Sequence, residues 1–408
     1  MNSNLLTALA REQKITLSGI RNIFTPHQPV QQYELFFGRD VTVTKIIEHL
    51  NTPGQHVLLY GDRGVGKSSL ANITTKLVIN EVLKVPLYTV RCSSSDNYLS
   101  LFKEVLKSQG VEIELKGGSI KDTQGGKAAA DLKIFKVECS GADEVTKQYQ
   151  FMDITPSSVA KILSSTTGLL YIDEADQIKN PADKVFLAET IKLLSDSASP
   201  FKILIVGIAE TGSDLTAAHP SVGRCLKETR LEKMSDNELE KLIRKGSEKS
   251  GIEFEYPAVS AIVRLSSGYP HFTHLLALKC CEHVIGNDQK TVTLSVLNLA
   301  IKEAVNDAEG TLKRQYDEAI RSSKTEMFKF VLLAAARIGS QREFHAKKWR
   351  EEIENITGEE ISQGELNNYL GRLVSDAEDC IIRRLGKGVY KFNDPRMPSY
   401  VRIAGSDI

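Results

Sequence analysis

Gly61–Ser68, GDRGVGKS, places three glycines, a lysine and a serine in the spacing G-x-x-x-x-G-K-[ST]. Residues of these types, so spaced, can hold a phosphate. Gly61, Gly64 and Gly66 let backbone N–H groups on either side of Val65 curl round an anion. Lys67 can bridge two phosphoryl groups, the Ser68 hydroxyl can coordinate Mg2+, and Ser69 follows within reach of the same phosphates. A ligand-free glycine turn would not require an apolar run before the loop (HVLLYG, 56–61) and a helical stretch after it, yet both are present.

A second chemical pair closes the apolar run GLLYIDEAD (168–176). Asp173 at a strand tip can hold Mg2+, and Glu174 can polarise an attacking water as a general base. The competing explanation is an acidic helix start favoured by the helix dipole. Its position behind a phosphate loop favours the catalytic pair.

The elements that must position these residues form an alternating series. HVLLYG, VPLYTVRC (85–92), GLLYIDEAD and FKILIVGIAE (201–210) are near-continuous apolar runs separated by helical stretches. Such runs predict a parallel α/β sheet buried on both faces, with helices covering each. Residues 1–32 read as a lead-in helix followed by an extended piece, and 33–229 as the α/β core. Within it, 111–150 reads as an inserted surface β-hairpin preceded by a Gly-rich loop. Residues 230–310 read as a helical domain, opened by a Ser235/Glu238 capping box. Residues 311–408 read as three helices followed by a hairpin over 380–392, the order of a winged helix.

Composition limits the alternatives. The 408 residues carry 52 basic and 52 acidic side chains, so DNA or membrane attraction would need a local patch. Six cysteines without metal-ligand spacing suit buried free thiols. No apolar run reaches the ~18 residues of a membrane span, so the expected location is cytoplasmic, with no membrane partner.

With these motifs in hand, LFFGRD (35–40) resembles the hydrophobic-hydrophobic-Gly-Arg element of the AAA+ ATPases, nearest their origin-recognition-like and STAND relatives. The resemblance runs from about 35 to 408 and implies ATP with Mg2+ as ligands. It places Phe37, Gly38 and Arg39 at the base. SSGYPHF (266–272) is similar to the lid element of such proteins, with Pro270 near the base and His271 near the phosphates. Arg224 stands about where these proteins carry an arginine finger that reaches a neighbouring subunit; a plain surface arginine is the alternative. In place of a sensor asparagine the chain reads VGIAETGSD, leaving Glu210 or Thr211 for that role. His271 also replaces the usual lid arginine, and His271 and His274 read as helix-surface residues rather than metal ligands. These departures imply slow, regulated turnover and a homo-oligomer in the ATP state.

The winged helix leaves the partner open between duplex DNA, a protein effector encoded nearby, and no partner at all. Residues 321–408 hold 15 basic and 13 acidic residues, and acids crowd the presumed recognition helix. Arg383, Arg384, Lys387 and Lys391 instead cluster in the wing, where they could meet phosphate. Trp349 reads as core.

Overall fold

Five parallel strands form the central sheet of the computed structural model: β1 (His56–Tyr60), β2 (Leu87–Arg91), β3 (Gly168–Asp173), β4 (Phe201–Gly207) and β5 (Leu226–Arg230). Their order is β2-β3-β4-β1-β5, with Leu58 opposite Ile205 and Leu170 opposite Ile203. The expected α/β parallel sheet is therefore present. β3 and β4 are buried at every position, as their unbroken apolar sequences require. β2 differs from that expectation. It is an edge strand with Leu87, Thr89 and Arg91 exposed, because only one neighbour and one covered face remain to it.

Helices Tyr98–Ser108, Pro156–Leu163 and Pro181–Asp196 cover the sheet. Their apolar faces bring Phe102, Leu163 and Leu187 onto Leu170, Ile172 and Ile205. Burial of each such side chain contributes roughly 1.5–3 kcal/mol. Asn97 and Thr155 open the first two helices with capping boxes, so their boundaries are set by local hydrogen bonds before any packing.

The structure describes residues 3–114, 134–139, 148–150, 154–208, 213, 215, 220–321, 325–339, 343–374 and 380–405. In the insertion, Ile134–Cys139 pairs antiparallel with Gln148–Gln150, which is the expected hairpin. Val111–Glu114 adds a third strand, with Val111 opposite Val137, where the sequence suggested only a loop. The expected Gly-rich loop and Gly141 lie outside the described residues.

Two compact units divide the chain. One comprises Arg39–Gly61 and Leu70–Leu231; the other comprises Met1–Gly38, Asp62–Ser69 and Glu232–Ile408. In the latter, helices Asp236–Ser250, Tyr256–Ser266, Pro270–Gly286 and Leu294–Asp307 occur where the sequence predicts them. Ser235 and Glu238 form the predicted capping box. Helices Gly310–Ile320 and Met397–Ala404 are additional. The N-terminal helix Ser3–Ser18 packs on Pro270–Gly286, and Arg21 pairs with Glu282 at 2.7 Å.

Toward the C-terminus, helices Met327–Ile338, Ala346–Thr357 and Gln363–Leu373 accompany a small antiparallel sheet of Phe344–His345, Val389–Phe392 and Ile382–Gly386. Trp349 is fully buried against Phe344 and Tyr390, and its Nε1 donates to Val331 O at 2.7 Å. It is a core residue, as expected. Cys92, Cys225, Cys280, Cys281 and Cys380 are buried free thiols. Among the described residues no helix is long and apolar enough to cross a membrane.

Candidate nucleotide site

β1 delivers the chain to Gly61, where φ is +154° and an added Cβ would lie 2.4 Å from Leu231 O. Only glycine fits that approach. Gly64 (φ +82°) and Gly66 (φ +94°) continue the turn in left-handed conformations, while Val65 is buried and anchors it. Backbone of this kind turns successive N–H groups toward one concavity. Lys67 opens the helix Lys67–Leu77, and its Nζ folds back onto Asp62 O at 2.8 Å. Ser69 Oγ accepts from Val30 N at 3.0 Å, so this expected phosphate ligand is already engaged by backbone. Three positive-φ glycines at a helix N-terminus fit a phosphate, and the Ser68 hydroxyl is a hard oxygen donor suited to Mg2+.

Asp173 ends β3, on the same carboxyl edge of the sheet as the end of β1. It is 3% exposed, its Oδ1 accepts from Glu174 N at 3.0 Å, and Arg91 Nη2 stands 3.7 Å from its Oδ2. Arg91 occupies the paired register position on β2, a neighbour that no local motif announces. Glu174 is exposed and holds φ +56°, an unusual conformation for a side chain with a Cβ. Strain of this kind costs about 1–3 kcal/mol and clusters at functional positions.

A second cation, Arg396, stands beside the phosphate loop, unanticipated by motif. A Cβ on Gly64 would fall 2.8 Å from Arg396 Cδ. The guanidinium is buried and bonds Asp394 Oδ2 at 2.7 Å and Glu309 Oε2 at 2.5 Å. Burial works against the Arg396 cation, but the bonds to both carboxylates outweigh it and raise its pKa. Burial alone would likewise raise Glu309; the hydrogen bond and charge of Arg396 hold it below the ordinary value instead. Tyr269 completes the corner: its ring would lie 3.7 Å from a Gly64 Cβ, and its hydroxyl donates to Pro395 O at 2.8 Å.

Pro270 lies beside the loop, with its Cγ 3.6 Å from where a Gly66 Cβ would be. His271 Nδ1 donates to Pro26 O at 2.8 Å. His274 is 6% exposed and its Nδ1 accepts from Thr25 N at 3.1 Å. The expectation of helix-surface histidines is thus corrected for His274, while His271 is half-buried. The helix Pro270–Gly286 is buried nearly all round, so a histidine on it meets protein rather than water.

Gly38 (φ +82°) approaches Glu238 and Met234 so closely that a Cβ would meet Glu238 at 3.0 Å. Phe37 is half-buried, and Arg39 is buried at the start of the helix Asp40–Asn51. Arg224 is exposed at the end of a short turn and pairs with Asp196 at 2.6 Å. Glu210 and Thr211 lie outside the described residues. In the hairpin of Ile382–Gly386 and Val389–Phe392, Arg383 and Lys391 are directly opposite across the strands, and Arg384 is opposite Tyr390. Lys387 is exposed at the turn.

The sequence profile of the Novel STAND NTPase 1 family matches residues 26–377. The chain belongs to that family. It is thus a P-loop NTPase, in keeping with the resemblance seen in its motifs. No curated protein matches the sequence. In fold the chain is similar to the Aeropyrum pernix ORC2 protein, solved in ADPNP-ADP complexes, with TM-score 0.51, 14% identity and coverage of 94% and 96% of the two chains. It is also similar to the Aeropyrum pernix ORC1 protein, solved in complex with DNA, at 0.50, 14%, 94% and 96%. A Walker-type ATPase of Pyrococcus abyssi gives 0.48, 18%, 93% and 99%.

Proposed function

We propose that this STAND-family NTPase is an ATP-hydrolysing switch whose nucleotide state governs assembly on, or recruitment of a factor to, duplex DNA through a C-terminal winged helix (311–408) that follows a helical lid (230–310). The observation that carries the switch is the contact of Arg396 with Gly64. A phosphate drawn into the loop and the segment that opens the last helix act on the same few residues, so one must feel the other. In this reading Lys67 and the Gly61–Ser69 backbone hold the phosphates with His271 near them, and Phe37, Gly38, Arg39 and Pro270 surround the base. Ser68 and Asp173 would hold Mg2+, which offsets phosphate charge. Glu174 takes the proton of the attacking water.

The wing supports DNA as the partner. Like charges directly opposite on a strand pair are unfavourable, yet Arg383 faces Lys391 with no carboxylate pairing either among the described residues. A phosphate backbone would satisfy both. The presumed recognition helix contributes less: Arg372, its one basic residue, stacks on Phe328 and donates to Arg321 O. In the homo-oligomer that ATP would favour, Arg224 exchanges Asp196 for the neighbouring subunit's γ-phosphate. A gel shift with duplex DNA at ~50 mM salt tests the reading. Retardation should strengthen with ATP, and that gain should vanish with Lys67→Ala; absence of any DNA binding in either nucleotide state would sink the DNA assignment.

A second reading rests on the N-terminal helix, where Leu5, Leu6 and Leu9 are each about half exposed. An apolar face there favours a protein effector in place of DNA. Light scattering with ATP, with and without the product of a neighbouring gene, separates the two.

A further inference from the structure

A half-open cavity of about 630 Å³ lies in the unit that contains helices Asp236–Ser250 and Tyr256–Ser266. Its lining includes none of residues 37–39, 61–69, 270 or 271, and meets the surroundings of the nucleotide site at Met234, beside Gly38, and at Ser267–Gly268. One wall is apolar, built by Met234, Val259 and Val263 with the exposed ring of Tyr256 at its edge. Its volume falls in the range of small-molecule sites.

Charge is distributed unevenly round the rim. Lys233, Arg264, Arg402, Asp236 and Glu240 line it. Glu240 is paired with Arg244 at 2.5 Å and Lys233 lies over the Tyr269 ring, which leaves Arg264 and Arg402 against Asp236. Neither Arg264 nor Arg402 has a carboxylate partner among the described residues. Arg402 is the sharper case. Its Nε donates to Pro398 O at 3.2 Å, but its Nη2 is buried without a hydrogen-bond partner among the described residues. Burial lowers its pKa to about 10. A guanidinium kept in so poor an environment is the donor that a phosphoryl group satisfies best, because its planar fork matches phosphate oxygens. An arginine that only packed its stem would leave its head in water.

We propose that this cavity binds a nucleotide-sized organic phosphate, separate from the nucleotide on the phosphate loop, with Arg264 and Arg402 on the phosphoryl group and Val259, Val263 and Tyr256 against its ring. The site is read as that of an effector: its lining holds two carboxylates and two serine hydroxyls but no histidine or cysteine to activate them.

Flavin mononucleotide is a suitable probe: it is fluorescent, carries one phosphate on a broad ring, and has riboflavin as its phosphate-free control. Fluorescence anisotropy on the full chain, with the phosphate loop saturated by ADP, should show one saturable site. Riboflavin should bind at least about tenfold more weakly. Lys67→Ala should leave the affinity unchanged, and Arg264→Ala and Arg402→Met should each weaken it about tenfold or more. Arg264 is exposed, so its variant decides the matter even if Arg402→Met does not fold. No binding, equal binding of riboflavin, loss of binding on ADP saturation, or full binding in the arginine variants would each overturn the proposal.

Discussion

Glu174 holds its left-handed backbone while neighbouring Asp173 is locked by Arg91 and by the Glu174 amide. In the proposed mechanism the strain fixes one carboxylate as ligand and turns the next toward water. Glu174→Gln should therefore retain ATP binding and lose at least ~10²-fold in turnover, measured as single-turnover phosphate release. Wild-type rates would remove Glu174 from the role. Arg396 belongs to the same scale. Its guanidinium is buried, but Glu309 is about one-third exposed, so the expected loss for Arg396→Met is roughly 2–3 kcal/mol, below that of a fully buried pair. Urea midpoints of Arg396→Met, Glu309→Gln and the double variant would measure it. Additive single losses would show that the two residues do not act together.

At the scale of elements, the hairpin of Ile382–Gly386 and Val389–Phe392 sets stability against the proposed DNA contact. Lys391→Glu replaces a like-charge cross-strand pair by an attractive one, and should stabilise the C-terminal part by a few tenths to 1 kcal/mol. The same change should weaken duplex binding and flatten its salt dependence, with the log–log slope falling by roughly one. A gain in stability with unaltered DNA affinity would show that the wing faces something else. The helices illustrate what is legible locally. Ser235/Glu238 and Ser362/Glu365 form capping boxes within four residues of sequence, so the helix starts could be read directly. By contrast, Arg372 sits on an exposed helix face but is held by Phe328 and Arg321, partners 44 and 51 residues away. No periodicity encodes that.

Across the whole molecule, each of the two units buries a neutral histidine. His56 accepts from Ile203 N at 3.1 Å with its pKa lowered by burial to about 3; His274 is lowered by burial to about 4. Unfolding frees both to titrate near 6.5, so the unfolded chain binds more protons between these values. Stability is therefore complete above about pH 6.5 and falls as pH drops toward 4, by roughly 2 kcal/mol per histidine between pH 7 and 5. Thermal melts from pH 8 to 5 should show this decline before carboxylates titrate. A flat profile to pH 5 would refute it, and His56→Gln should blunt it.

The sequence by itself determined the phosphate loop, the acid pair at the end of β3, the parallel sheet and the succession of helices. Each depends on residues that are neighbours in the chain: glycines that permit positive φ, apolar runs that need cover, caps that satisfy a helix's own N–H groups. Tertiary structure alone decided that Arg396 closes on Gly64, that Arg91 stands by Asp173, that β2 is an edge, and that His274 is buried and His271 half-buried. It also left Arg402 without a carboxylate beside a cavity. These are pairings between residues tens to hundreds of positions apart, and their energies depend on burial, which a linear pattern of residue types does not carry.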